Sequence, residues 1–192
     1  MTDSLRQYSD EENERLARNL LRLTEGLYNG DFASETLGPD LLCLFHRRLF
    51  ENVRSHAGLP RSAANGGTEY LTFGPNRSMH RNDVGPRLAD VFDKAQTSFR
   101  SFCASTQDPN YEELGIHLAV WLHSEVLRIH PFEDGNGRSS RLVMNWTLIG
   151  LGLRPFRIEV PKEEYHNCLN HYFRSGQIST LIDLALGLYF RS

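Results

Sequence analysis

Two stretches of this chain leave little polar face to show to water. Across residues 114–129, Leu114, Leu118, Val120, Trp121, Leu122, Val126, Leu127 and Ile129 recur around much of a helix's circumference. Across residues 142–151, Leu142, Val143, Met144, Trp146, Leu148, Ile149 and Leu151 do the same. Helices that are apolar on most sides must be enclosed by others, so this pair predicts the centre of a helical domain. Between them lies "IHPFEDGNGRSSR", residues 129–141, which no amphipathic helix requires. Its histidine, adjacent carboxylates, Gly-Asn-Gly and two arginines make either a polar turn or the working part of an enzyme.

The remaining pattern is consistent with that centre. Ser9 followed by Glu12 predicts a capping box, with Leu16, Leu20, Leu23 and Leu27 following at helical spacing. Gly26 and Gly30 weaken or end that helix. A second helix is predicted over residues 38–56, using Leu41, Leu42, Leu44, Phe45, Leu49, Phe50 and Val53. Over residues 58–81, Pro60, Gly66, Gly67, Gly74 and Pro75 break the helical pattern and predict a short extended hairpin or flap. Helical periodicity returns over residues 84–102. Asp108 and Pro109 then read as the cap and first position of the central helix. Val160-Pro161 opens another helix, Gly176 stops it, and a last one covers residues 178–189. With 192 residues, 40% of them hydrophobic, the expectation is a mostly α-helical single domain with one extended flap.

Several classes of function are disfavoured. A formal net charge of −3 argues against broad nucleic-acid binding, which needs a basic surface. Cys43, Cys103 and Cys168 are odd in number and far apart, so neither a disulfide framework nor a metal pair is legible. A reduced, cytoplasmic setting is the expectation. The charged N-terminus, "MTDSLRQYSDEENERLARNL", lacks a signal peptide's apolar core, and no apolar run reaches the roughly 18 residues of a membrane span.

The loop has its own chemistry. A helix N-terminus offers free N–H groups and partial positive charge, and Gly135 and Gly137 let an anion approach them. Arg138 and Arg141 are three apart, share a helix face, and carry forks suited to phosphate. Asp134 beside such a cradle suggests a magnesium nucleotide, with the carboxylate giving one oxygen ligand. His130 can accept a proton from a hydroxyl near pH 7. Pro131 stiffens the turn, and Phe132 is read as packing inward. A calcium loop is rejected, because Arg138 stands where the fifth position needs an oxygen. Taken singly, the histidine is a helix cap and the glycine run a turn. All parts in this order need another explanation.

His130-Pro131-Phe132-Glu133-Asp134-Gly135-Asn136-Gly137-Arg138, completed by Arg141, resembles the whole signature of the Fic family, His-x-Phe-x-Asp/Glu-Gly-Asn-Gly-Arg-x-x-Arg. "LFHRRLFENVRSHAGLPR" is similar to the family's earlier helix ending in Ala-Gly-x-x-Arg. "EYLTFGPN", residues 69–76, sits where the family has its flap, and "EEYHNCLNHYFRSGQISTLIDL" is similar to its closing helices. The resemblance implies an all-α Fic fold, a bundle of about six to eight helices with a short β-hairpin flap over the active site. It also implies one Fic domain over residues 1–192, with its core at about 40–190 and an N-terminal helical extension over 1–38.

Fic enzymes typically move AMP from ATP to a hydroxyl of a target protein and release pyrophosphate. By resemblance, His130 is the general base and Asp134 the Mg²⁺ ligand. Gly135, Asn136 and Gly137 form the phosphate nest, the Asn136 side chain helping to place the α-phosphate. Arg138 and Arg141 clamp the β/γ region and γ-phosphate. Tyr70, Leu71, Thr72 and Phe73 of the flap would pair with an extended segment of the target. Tyr165 and Tyr172 are candidates for an adenine pocket, with core packing as their other reading. Retention of Gly137 separates the chain from the phosphate-transferring Doc branch.

The family's inhibitory pattern, Ser/Thr-x-x-x-Glu-Gly/Asn, has no full match. Glu25-Gly26 follows Leu21 where Ser or Thr is expected, and Glu12-Asn13 follows Tyr8. That leaves a separate antitoxin-like inhibitor or none, with a degenerate inhibitor built on Glu25 as a third alternative. Other readings of function are a de-AMPylating or otherwise nucleotidyl-transferring Fic enzyme, a non-catalytic nucleotide-binding adaptor, and a toxin-like protein delivered into another cell.

Overall fold

The computed structural model describes residues 8–191, and the N-terminal reading over residues 1–7 lies outside them. Among the described residues there are seven helices and one two-stranded antiparallel hairpin. The helices are α1 (Asp10–Asn29), α2 (Pro39–Leu49), α3 (Arg81–Cys103), α4 (Tyr111–Ile129), α5 (Asn136–Gly150), α6 (Lys162–Ser175) and α7 (Ser179–Tyr189). The hairpin joins β1 (Thr72–Phe73) to β2 (Asn76–Arg77), with Thr72 opposite Arg77 and Phe73 opposite Asn76. This is the expected helical architecture with its flap. Among the described residues no helix is long and apolar enough to cross a membrane.

The two predicted central helices do occupy the centre. Helix α4 packs along α5, α3 and α7, while α2 and α1 cover the other side of α5. Ile116, Ala119, Val120, Leu122, Val126 and Ile129 of α4 are fully enclosed, as are Val143, Met144 and Leu148 of α5. Helix α1 begins with the predicted capping box: Ser9 Oγ accepts from the Glu12 N–H, and the Glu12 carboxylate accepts from the Ser9 N–H.

Two predicted boundaries are wrong. Helix α2 ends at Leu49 and does not continue to His56. The Asn19 amide donates to the carbonyls of Leu49 (3.0 Å) and Glu51 (3.1 Å), which satisfies acceptors at the helix end, and Asn52 then turns left-handed at φ 59°. Helix α4 starts at Tyr111, with Asn110 and not Asp108 at its N-cap. Asp108 instead closes the turn before it, its carboxylate accepting from the Asn110 N–H at 2.8 Å and its carbonyl from Tyr111 at 3.0 Å.

The apolar appearance of α4 hides a buried charge. Glu125, 1% exposed, pairs with Arg87 of α3 (2.7 Å) and Arg128 (3.1 Å), and accepts from the Tyr172 hydroxyl of α6 (2.7 Å). One carboxylate thus joins three helices. Removing one member of a buried ionic cluster leaves the others uncompensated. Glu125→Ala is therefore expected to cost about 3 kcal/mol of stability, read from the urea midpoint. A loss below about 1 kcal/mol would place the cluster with surface pairs of little worth.

Candidate active site

Helix α4 stops at His130, which takes a left-handed conformation at φ 55°. Few residues other than glycine adopt that region, so something must hold it there. The holder is Arg61, which is only 1% exposed. Its Nε and Nη2 donate to the His130 carbonyl at 3.0 and 2.8 Å, and its own N–H donates to the Pro131 carbonyl at 2.7 Å. The same guanidinium donates to Thr68 (2.7 Å) and Met79 (3.1 Å), one on each side of the flap.

The His130 ring is oriented by a second contact. Nδ1–H donates to the Leu127 carbonyl at 3.3 Å, since a carbonyl can only accept. Nε2 therefore keeps its lone pair. Burial holds the imidazole down at about 4, with the Leu127 contact opposing and Arg61 assisting, so it is neutral at pH 7. Phe73 of the flap stacks on it at 4.2 Å between ring centres.

The loop after His130 is closed by its own side chains. Asn136 receives the Phe132 N–H on Oδ1 (2.9 Å) and donates Nδ2 to the Phe132 carbonyl (2.8 Å). At 2% exposed, with Oδ1 and Nδ2 both bonded to Phe132, that side chain braces the loop and is turned away from a phosphate, which corrects the reading from sequence. Phe132 points inward and stacks on His46 at 3.7 Å, below Pro131. Of the adjacent carboxylates, Glu133 is tied to the Thr68 N–H and hydroxyl (2.6 and 2.7 Å). Asp134 is the one left at the site.

Gly135 is left-handed at φ 76°, and a Cβ there would run into the Phe50 ring. Helix α5 opens directly after it without a side-chain cap, its first helical bond running from the Ser139 N–H to the Gly135 carbonyl. The N–H groups of Asn136, Gly137 and Arg138 precede that bond. Arg138 lies over the Phe50 ring, 3.5 Å from Asp134 Oδ1. The Arg141 guanidinium lies 3.4 Å from where a Gly137 Cβ would stand.

Of these groups His130, Gly137 and Arg141 line a cavity of about 250 Å³, together with Phe73, Asn76, Tyr165 and Asn170, whereas Asp134, Gly135 and Arg138 lie outside its lining. Tyr165 is there; its hydroxyl meets His123 Nε2 and lies beside Arg141. Tyr172 is not. It sits in the core on Glu125, which corrects the paired adenine-pocket reading. The flap is fastened to α6 by an Asn76–Asn170 amide pair at 2.6 Å, which nothing in the local pattern signalled. Of the flap candidates, Tyr70 packs against Arg77 and Thr72 is exposed, while Leu71 donates its N–H to Ser78 Oγ. Phe73 alone lines the cavity.

Helix α1 reaches the site by its N-terminal end. Tyr8 donates its hydroxyl to Asp134 Oδ2, with Arg54 over its ring at 4.3 Å and Glu12 paired to Arg54 at 2.6 Å. Glu25, farther along α1, is exposed, and Arg141 lies instead beside the Tyr165 hydroxyl. The Tyr8–Glu12 segment fails the inhibitory pattern, yet Tyr8, just before α1, touches the loop.

Comparison with known proteins shows the family. Residues 36–148, more than half of the chain, match the model of the Fic/DOC family, and the chain belongs to that family. It is 33% identical over 139 residues to the Protein adenylyltransferase Fic of Nematostella vectensis, covering 71% of this chain and 29% of that protein. The chain spans less than a third of the length of the first curated relatives it matches. The N-terminal FIC domain of Bep8 from Bartonella sp. 1-1C superposes with a TM-score of 0.74 at 14% identity, over 97% of this chain and 88% of that one. BepC from Bartonella tribocorum, solved with bound AMPPNP, gives 0.68 at 16% identity, over 93% and 86%.

Burial also sets a pH dependence. It holds His46 at about 4, His123 at about 3 and His130 at about 4, whereas unfolded imidazoles titrate near 6.5. Below about pH 6.5 the unfolded chain binds protons that the folded chain refuses, so stability falls as pH drops toward 4. Thermal melts between about pH 7.5 and pH 4 should show a falling Tm, with a shallower slope in His123→Gln. A flat Tm across that window would contradict it.

Proposed function

We propose that this Fic-family chain is a protein adenylyltransferase, moving AMP from ATP to a hydroxyl side chain of a target protein. The observation that carries the reading is a neutral His130, its Nε2 lone pair free, beside an uncapped helix N-terminus flanked by Arg138 and Arg141. Nε2 takes the proton of the target hydroxyl as its oxygen attacks the α-phosphorus. The bond to the β-phosphate oxygen breaks, and pyrophosphate leaves. The N–H groups of Gly137 and Arg138 and both guanidinium groups neutralise the phosphates. A general base of this kind is worth about 10²–10⁴-fold.

Among the described residues there is no cluster of three or more carboxylate, histidine or cysteine ligands. A single Asp134 suits a cation held mainly by phosphate oxygens and water, as Mg²⁺ is. When bound, Mg²⁺ would supply charge neutralisation on the β-phosphate side. The relatives named adenylyltransferase and the neighbour solved with AMPPNP support a nucleotide here. The target would lie along the flap, its side chain entering past Phe73, in a strand-addition mode. A separate antitoxin-like inhibitor remains the proposed control acting at Arg141. Removal of AMP is the weaker reading, since Arg141 lies beside the Tyr165 hydroxyl and, among the described residues, no glutamate is paired with it to orient water.

Wild type and His130→Ala, incubated with Mg²⁺ and ATP labelled at the α- or the γ-phosphorus, separate the chemistries. Transfer of α-label alone to lysate proteins, by wild type alone, is expected. Transfer of γ-label instead would sink the reading. Tyr8 adds a second expectation, because its hydroxyl occupies one oxygen of Asp134. A hydrogen bond to a charged acceptor is worth roughly 1.5–3 kcal/mol, so Tyr8→Phe should tighten Mn²⁺ binding in the presence of ADP by about 10- to 100-fold. Unchanged or weaker Mn²⁺ binding in paramagnetic-resonance titrations would argue against competition at that carboxylate.

A further inference from the structure

His46 of α2 is 1% exposed and lies between two phenyl rings, Phe50 at 4.6 Å and Phe132 at 3.7 Å. A third aromatic ring would fill that slot without carrying polar atoms. An imidazole there is costly unless both nitrogens are satisfied. Both are, by backbone. Nδ1 accepts the Gly58 N–H at 2.8 Å, and Nε2 faces the Asp134 carbonyl at 3.0 Å. An N–H can only donate and a carbonyl can only accept, so the proton sits on Nε2 and the tautomer is settled.

The Asp134 carbonyl belongs to the peptide that joins the carboxylate to the left-handed Gly135. In a trans peptide the C=O and the following N–H point in opposite directions, and no cis bond occurs among the described residues. With the carbonyl tied into the core at His46, the Gly135 N–H is turned outward, to the side of the Asp134 carboxylate that accepts it. A flipped peptide would instead present a carbonyl oxygen to the phosphates.

We propose that His46 is a positioning residue. It locks the Asp134–Gly135 peptide so that N–H, not C=O, faces the bound phosphates, and it steadies the carboxylate beside them. This rests on the nucleotide-binding part of the reading above. The partner that feels it is the diphosphate of the nucleotide with its divalent cation; the base and ribose do not.

Two variants test this. His46→Phe keeps the ring stack and removes both polar ends. His46→Gln gives up the ring and restores an acceptor for Gly58 and a donor for Asp134. Binding of Mg²⁺–ADP and of adenosine is measured by calorimetry on the full chain, alongside α-label transfer. Groups that orient a metal ligand commonly cost 10–100-fold when removed, so His46→Phe should weaken Mg²⁺–ADP by about that factor and leave adenosine within about twofold. His46→Gln should recover most of the loss. Equal weakening of ADP and adenosine, unchanged ADP binding, or failure of both variants to fold would overturn the proposal and leave His46 a core residue. A wild type that binds Mg²⁺–ADP but transfers no label would sink the transferase reading while His46 is still read by ADP binding. A wild type that binds no Mg²⁺–ADP would overturn both.

Discussion

One buried guanidinium holds the working parts together. Arg61 has no water to solvate it, and its direct hydrogen-bond partners are backbone carbonyls. A buried charge is tolerated only when its donors are met, and meeting them draws three segments to one point. These are the end of α4 at His130, the entry of the flap at Thr68 and its exit at Met79. The left-handed turn that presents the His130 ring follows from this anchoring, as does the register of the flap that covers it. Packing alone would place helices; it would not place this carbonyl.

On that frame, charge is concentrated at the start of α5. The Gly135 cap has no side chain to satisfy the first N–H groups, and Arg138 and Arg141 add full positive charge within the next turn and a half. Such an arrangement is poorly compensated by the protein itself, which is the condition for an anion site. The Phe73–His130 stack and the Asn76–Asn170 pair roof the cavity from the flap and α6. The His130 ring is thereby dry enough to stay neutral and still lines the cavity. Tyr8, just before α1, closes the Asp134 side of the loop.

Much of this was legible in the residues. The helical periods, the Ser9 capping box, the flap and the motif between two enclosed helices were readable because each depends on neighbours within a turn or two. The misreadings share a cause. Phe50 and Val53 continue an apolar stripe, yet α2 ends because Asn19, from another helix, takes its last carbonyls. Asn136 looked like a phosphate ligand, but its amide closes the loop on Phe132. Tyr172 shares a face with Tyr165, but a glutamate inside an apolar helix claims it.

The sequence by itself determined that the chain would enclose a phosphate-type loop between two apolar helices, because adjacency and periodicity are local properties. It also determined which charged and titratable side chains that loop carries: His130, Asp134, Arg138 and Arg141. Only the tertiary structure decided how they are aimed. The His130 carbonyl is held from 69 residues away and the Asp134 carboxylate is met from 126 residues away. Buried polar atoms take whichever partner the packed fold brings within about 3 Å, and that partner leaves no mark on the pattern around them.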